Sequence, residues 1–232
     1  MMAESEVARP ELSALLTRAV PYAQGERLGL LTLRTDPQFF RLTADEAAEA
    51  VHEALDLGER YGDELAREQG TRDPYALAER LGIQVEVSDE TARYGNVLQY
   101  AEYRSRPLRI KLYRKSMEGS NRLLEDPRVS EILGISDIAP AFLAHELFHH
   151  LDNLPNRLPA KRVRQVVTMT LGPWRVRSGL VTAQEIAAGS FAQALLRLPF
   201  HLKLLDLLAI YAENPTRATE WVRVLADADS SV

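Results

Sequence analysis

The chain has 232 residues, a formal net charge of −5, 46% hydrophobic and 26% charged residues, and no cysteine. That length supports one substantial core, in one domain or one domain with a helical extension. The charge balance argues against direct nucleic-acid binding, no apolar run nears the roughly 20 residues of a membrane span, and without cysteine only His, Asp and Glu can hold a metal.

Residues 1–42 read as an N-terminal extension. Its acidic start lacks a cationic segment followed by an apolar one, so it does not read as a signal peptide, and the cytoplasm is the expected compartment. One short helix is expected around Leu12 to Val20, stopped by Pro21. Thr43 and Glu46 have capping-box spacing. Ala47, Val51, Ala54, Leu55, Gly58, Tyr61 and Leu65 then recur at helical period, predicting a long amphipathic helix that ends near Gly70. Asp73-Pro74 opens a short helix that closes at Leu81-Gly82. The period then changes to two at Ile83, Val85 and Val87, from Val97 onward, and at Leu108, Ile110 and Leu112, which predicts three short strands.

Helical spacing returns from Ile138 to about Leu151, with Ser136 or Asp137 as the cap. The β-branched run Val163 to Thr170, the Gly172-Pro173 turn and Trp174 to Val176 favour a hairpin. A further helix is expected from about Thr182, capped by Thr182 with Glu185, to Leu198, where Pro199 breaks it; the last helix spans about Pro215 to Ala226. The expected fold is α+β: mostly helical, with a small sheet of three or more strands packed against the Ile138 helix. Residues 43–232 form the main domain, with a core at 73–200 and C-terminal helices at 200–226.

The Ile138 helix carries Ala144-His-Glu-Leu-Phe-His-His-Leu-Asp152, a His-Glu-x-x-His motif. Positions i and i+4 lie one turn apart on one face, so His145 and His149 can present two imidazoles to one ion, with Glu146 between them in azimuth. The bland alternative is a core helix whose histidines are hydrogen-bonded. Phe142, Leu143, Ala144, Leu147 and Phe148 would bury such a helix, making unpaired histidines costly. A catalytic zinc needs a third protein ligand. The metzincin continuation is excluded, because its positions hold Asp152 and Pro155. Asp152 lies about 10 Å up the helix from His145 and is better cast as a supporting or capping residue. From Asn153 to Gln184 there is no acid and no histidine, which leaves Glu185 as the first downstream donor; its ordinary role would be that of a helix N-terminal acid. Small residues Ala187, Ala188 and Gly189 would let its helix pack closely against the motif helix.

These motifs resemble the ImmA/IrrE family of zinc metallopeptidases. The resemblance spans about residues 73–200 and includes Asp73-Pro-Tyr-Ala-Leu-Ala-Glu-Arg-Leu-Gly-Ile83, the His145 motif and Glu185-Ile-Ala-Ala-Gly-Ser-Phe-Ala-Gln-Ala-Leu-Leu196. Gly189 replaces the family's usual asparagine, and Pro199 falls one residue late. The resemblance implies a zincin-like fold, one zinc per chain held by His145, His149 and Glu185, and Glu146 as catalytic base. It also implies a regulatory endopeptidase whose substrate is a protein such as a helix-turn-helix, DNA-binding repressor. Tyr100, Tyr103, His150 and His201 are candidate oxyanion helpers. Arg162, Arg164, Arg175 and Arg177, with Arg157 and Lys161, form a basic island without acids, either a docking surface for an acidic partner or a solvated hairpin face. Two rival readings remain: a zinc-binding module that grips its partner without cutting it, and a zinc-free interaction protein.

Overall fold

The first described helix, α1 (Leu12–Ala19), buries Leu12, Leu15, Leu16 and Ala19. The computed structural model describes residues 11–95, 97–154, 163, 165–171 and 174–227. After Pro21 the chain forms an α-helix that the periodicity does not reveal, α2 (Glu26–Leu33), with Leu28 and Leu33 fully buried, and then a short 3-10 turn at Phe39–Arg41. Residues 11–42 thus contribute to the same core as the rest of the chain.

Helix α3 (Ala44–Gln69) forms as its sequence predicts. Thr43 Oγ1 accepts from Glu46 N, the Glu46 carboxylate accepts from Thr43 N at 3.0 Å, and Gly70 ends the helix at φ 64°. Helix α4 (Pro74–Arg80) is capped by Asp73, which accepts from Tyr75 N at 2.9 Å. A strand β1 (Gln84–Ser88) follows, then a small antiparallel hairpin of β2 (Ala92–Tyr94) and β3 (Val97–Gln99), then β4 (Ala101–Ser105) and β5 (Leu108–Tyr113). The mixed three-stranded sheet has the order β1-β5-β4, β1 parallel to β5 and β4 antiparallel to it. The strand expected from Val97 onward is therefore divided. Val97–Gln99 pairs with β2, and the segment beyond Tyr100 enters the sheet.

Helices α5 (Arg114–Leu123) and α6 (Pro127–Leu133) fill a stretch to which the sequence reading gave no element. The second carries the same signal as α4: Asp126 accepts from Arg128 N ahead of Pro127, and Gly134 closes it at φ 65°. The motif helix is α7 (Ala139–Asp152), where Asp137 Oδ1 accepts from Ala139 N at 3.0 Å. A hairpin of β6 (Gln165–Leu171) and β7 (Trp174–Gly179) leads into α8 (Val181–Leu196), and α9 (Asp206–Glu213) and α10 (Pro215–Asp227) complete the described fold. No described helix is long and apolar enough to cross a membrane.

Helix α8 sits between α3 and α7, and backbone proximity explains its composition. A Cβ at Gly58 would lie 2.1 Å from Ala187 O, and one at Gly62 would lie 2.9 Å from Phe191 O. Two glycines one turn apart on α3 thus let α8 approach main chain to main chain, and Ser190 Oγ donates to Leu55 O at 2.7 Å. On the other side Phe148 of α7 packs on Phe191 of α8 and Tyr61 of α3, with ring centroids 5.7 and 6.2 Å away. The sheet covers the third flank of α7, where Tyr100 meets Phe142 at 4.5 Å.

Candidate metal centre

Packing of α7 against α8 brings three side chains to one point. His145 and His149, one turn apart, place their Nε2 atoms 3.1 Å from each other. Glu185, in the second turn of α8, puts Oε2 3.3 Å from His145 Nε2 and Oε1 3.7 Å from His149 Nε2. Four ligands about 2.0–2.1 Å from a zinc ion form a tetrahedron with edges of roughly 3.3 Å. The three observed separations are close to that edge, so the donor set fits a tetrahedral ion with its fourth position open. No other group of His, Asp and Glu among the described residues meets in this way. His145 Nδ1 is buried and has no hydrogen-bond partner among the described residues. If Nε2 gives its lone pair to an ion, the ring is held by packing rather than by the outer hydrogen bond that metal-bound imidazoles usually make.

These residues line a cavity of about 980 Å³ together with Glu146, Tyr103, Gln184, Gly189, His201 and Lys203. Burial pushes the Glu146 carboxyl up to about 7, reinforced by the Glu185 charge and opposed by His145 and by a hydrogen bond from the Tyr103 main-chain N–H. Burial works to raise Glu185 too, but its bond to His145 and the charges of His145, His149 and Lys203 outweigh it and hold the group at about 2. His149 is lowered to about 4 by burial and by its neighbour His145. Burial opposes a charge on His145, and the Glu185 contact overcomes it, so this imidazole is raised. The site therefore pairs an anionic ligand with imidazoles and keeps a carboxyl near neutrality beside them.

The Tyr103 N–H reaches Glu146 because of strand register. Tyr113 N donates to Tyr100 O, and hydrogen-bonded pairs alternate along an antiparallel ladder, so the main-chain groups of Ala101, Tyr103 and Ser105 point away from β5. Among the described residues β4 is an unpaired edge of the sheet, and that edge faces the cavity.

The remaining predicted residues fall elsewhere. Asp152 Oδ2 accepts from Gln184 Nε2 at 2.7 Å, which ties the end of α7 to the residue before Glu185. His150 turns away from the site, with Nδ1 3.2 Å from the Tyr103 hydroxyl. Tyr100 is buried with its hydroxyl 3.2 Å from Ser120 Oγ. His201 occupies the space of a side chain at Gly189, where a Cβ would lie 2.4 Å from its ring. Its Nε2 donates to Ile186 O and its Nδ1 accepts from Lys203 N, so neither nitrogen is open to a substrate. Of the four candidate oxyanion helpers, Tyr103 lines the cavity with its hydroxyl against His150, while Tyr100 and His201 line it with their polar atoms bonded within the fold. Arg175 and Arg177 are exposed on β7 and do not line the cavity; Arg162 and Arg164 lie outside the described residues.

One expectation is corrected. Thr182 and Glu185 form no capping box, because α8 begins one residue earlier, at Val181, and Thr182 lies within it. Its N–H and hydroxyl both donate to Asp36 Oδ2, and Glu185 is free to face the histidines. Two residues near the centre escaped the sequence reading. Asp36 precedes Pro37, the same dipeptide that caps α4 and α6, but nothing local directs it to α8, and Lys203, paired with Asp206 at 2.6 Å, is brought to the cavity by the turn after α8.

Comparison of the chain with family models, with curated proteins and with solved structures finds no match.

Proposed function

We propose that the protein is a zinc-dependent endopeptidase with a zincin-like arrangement, resembling the ImmA/IrrE metallopeptidases. The observation that carries this reading is the convergence of His145, His149 and Glu185 at tetrahedral separations beside Glu146 in one cavity. A zinc ion held there supplies Lewis acidity toward a carbonyl and lowers the pKa of coordinated water. Glu146, with a pKa near the working pH, is placed to take a proton from the attacking water and return it to the leaving amine. The free edge of β4 offers the main-chain groups of Ala101 and Ser105 to an extended segment, so the substrate is a polypeptide added as a strand. Tyr103 stands on the same wall to stabilise the developing oxyanion. The family likeness makes a DNA-binding repressor the substrate to test first, with Arg175 and Arg177 as docking candidates for an acidic partner.

A base beside the three ligands favours cleavage over a zinc site that only grips a partner. Glu146→Gln separates the two. The variant should bind about one zinc per chain, measured by mass spectrometry, and lose at least 100-fold in cleavage of an unfolded protein substrate. Undiminished cleavage in this variant would remove Glu146 from the role of base; a chain that takes up no zinc would end the peptidase reading.

A further inference from the structure

Helix α8, which presents Glu185, has no cap of its own. It follows Leu180, which offers no side-chain acceptor, and the first N–H groups of any helix lack intrahelical partners. The cap comes from 146 residues away: Asp36 Oδ2 accepts from Thr182 N at 3.0 Å and from Thr182 Oγ1 at 3.1 Å. The other oxygen, Oδ1, accepts from Gln38 N at 2.8 Å, and the residue is only 5% exposed. A carboxylate in this position meets the positive end of the helix, and hydrogen bonds to a charged acceptor are stronger than neutral ones.

The same segment touches α8 again just beyond Glu185. Gly29 of α2 packs so closely that an added Cβ would lie 2.7 Å from Val51 Cγ1 of α3 and 3.4 Å from Ile186 Cγ2 of α8. Thr32 and Thr35, between these two anchors, line the cavity. Glu185 is thus bracketed by Asp36 at Thr182 and by α2 at Ile186. An uncapped helix frays first in its opening turn, and Glu185 is four residues from the start of α8.

We propose that Asp36 is a positioning residue for Glu185, and that residues 26–38 complete the metal centre by clamping the first turns of α8 against α7. The proposal rests on the reading of His145, His149 and Glu185 as metal ligands. It gives the N-terminal part of the chain a role: without the clamp, the third ligand leaves the point where the histidines converge.

The test uses the full chain, stripped with chelator and titrated with cobalt(II), whose visible absorption reports ligand number and geometry, and with zinc in competition with a chromophoric chelator. Asp36→Ala should weaken zinc binding roughly tenfold or more and shift the cobalt spectrum toward that of Glu185→Ala. Leu28→Ala loosens the clamp itself and should weaken zinc binding as well as lower Tm. The control proper is Leu133→Ala, a fully buried position in α6 outside residues 26–38, which should lower Tm but spare the cobalt spectrum. If Asp36→Ala does not fold, Thr182→Ala, which removes only the hydroxyl bond, carries the test and should weaken zinc binding by about threefold. Wild-type affinity and spectrum in Asp36→Ala, or in Thr182→Ala where that variant carries the test, would overturn the proposal while leaving the metal centre intact. Failure of the wild-type chain to bind either metal would overturn both.

Discussion

Three side chains in or beside the cavity give the metal-free protein a distinctive pH response. Glu146, pushed by burial to about 7 from 4.5, holds its proton more tightly in the folded chain than in the unfolded one. Its contribution to stability is full below pH 4.5 and is lost as pH rises through 7. His149 and His201, each lowered by burial to about 4 from 6.5, work in the opposite sense, and their contribution is lost as pH falls from 6.5 through 4. Between pH 4.5 and 6.5, where Glu185 is ionised and His145 protonated whether the chain is folded or not, the lowered histidines, His150 among them, outnumber Glu146, so the stability of the chelator-treated protein should rise. Glu146→Gln removes the opposing group. Urea unfolding should show the variant gaining up to about 3 kcal/mol over wild type between pH 4.5 and 8. A difference that does not change with pH would mean that Glu146 is ionised in the folded chain throughout. At this scale the histidine pair was legible in the sequence, because residues i and i+4 of a helix always share a face. His201 and Lys203 were not, since what they contact depends on where the chain turns after α8.

Among the elements, α8 decides the site, and on its α3 side it is held by close backbone contact. Gly58 is the critical position: a methyl group there would lie 2.1 Å from Ala187 O, two residues from Glu185. Neither atom can move without separating α3 from α8. Gly58→Ala should therefore cost about 3 kcal/mol or more, seen as a lower urea midpoint, and should weaken zinc binding along with stability. Wild-type zinc affinity in a destabilised Gly58→Ala would mean that Glu185 tolerates a shift of its helix. Capped elements such as α3 and α4 were readable because their signals lie within four residues of one another, whereas the N-cap of α7 is Ile138 and the expected Asp137 lies one residue before it. The Asp-Pro signal of α4 also marks α6. Helix α8 was placed one residue late because its cap, Asp36, lies 146 residues away in sequence.

Over the whole molecule, residues 11–42 read as an extension in the sequence and pack as part of the core in the fold. Leu12, Leu15, Leu16, Leu28 and Leu33 are at most 5% exposed, and α2 packs on α3 with Gly29 against Val51. Deleting residues 1–42 should therefore remove cooperative unfolding as well as the Asp36 cap, and thermal circular dichroism would show a broad transition in place of a sharp one. A sharp transition near the wild-type Tm would show that residues 43–232 fold without it. The sequence by itself determined the helices with local caps, the hairpin before α8, the mostly helical α+β class and the His145–His149 spacing. Each of these follows from interactions along a few consecutive residues. Only the tertiary structure decided that Glu185 meets the two imidazoles, that Asp36 supplies the cap of α8, that His201 fills the space at Gly189 and that the free edge of β4 faces Glu146. Those contacts join residues from 12 to 146 positions apart or more than one element, and they exist because the packing of α3, α7 and α8 sets the distances between segments that no local pattern encodes.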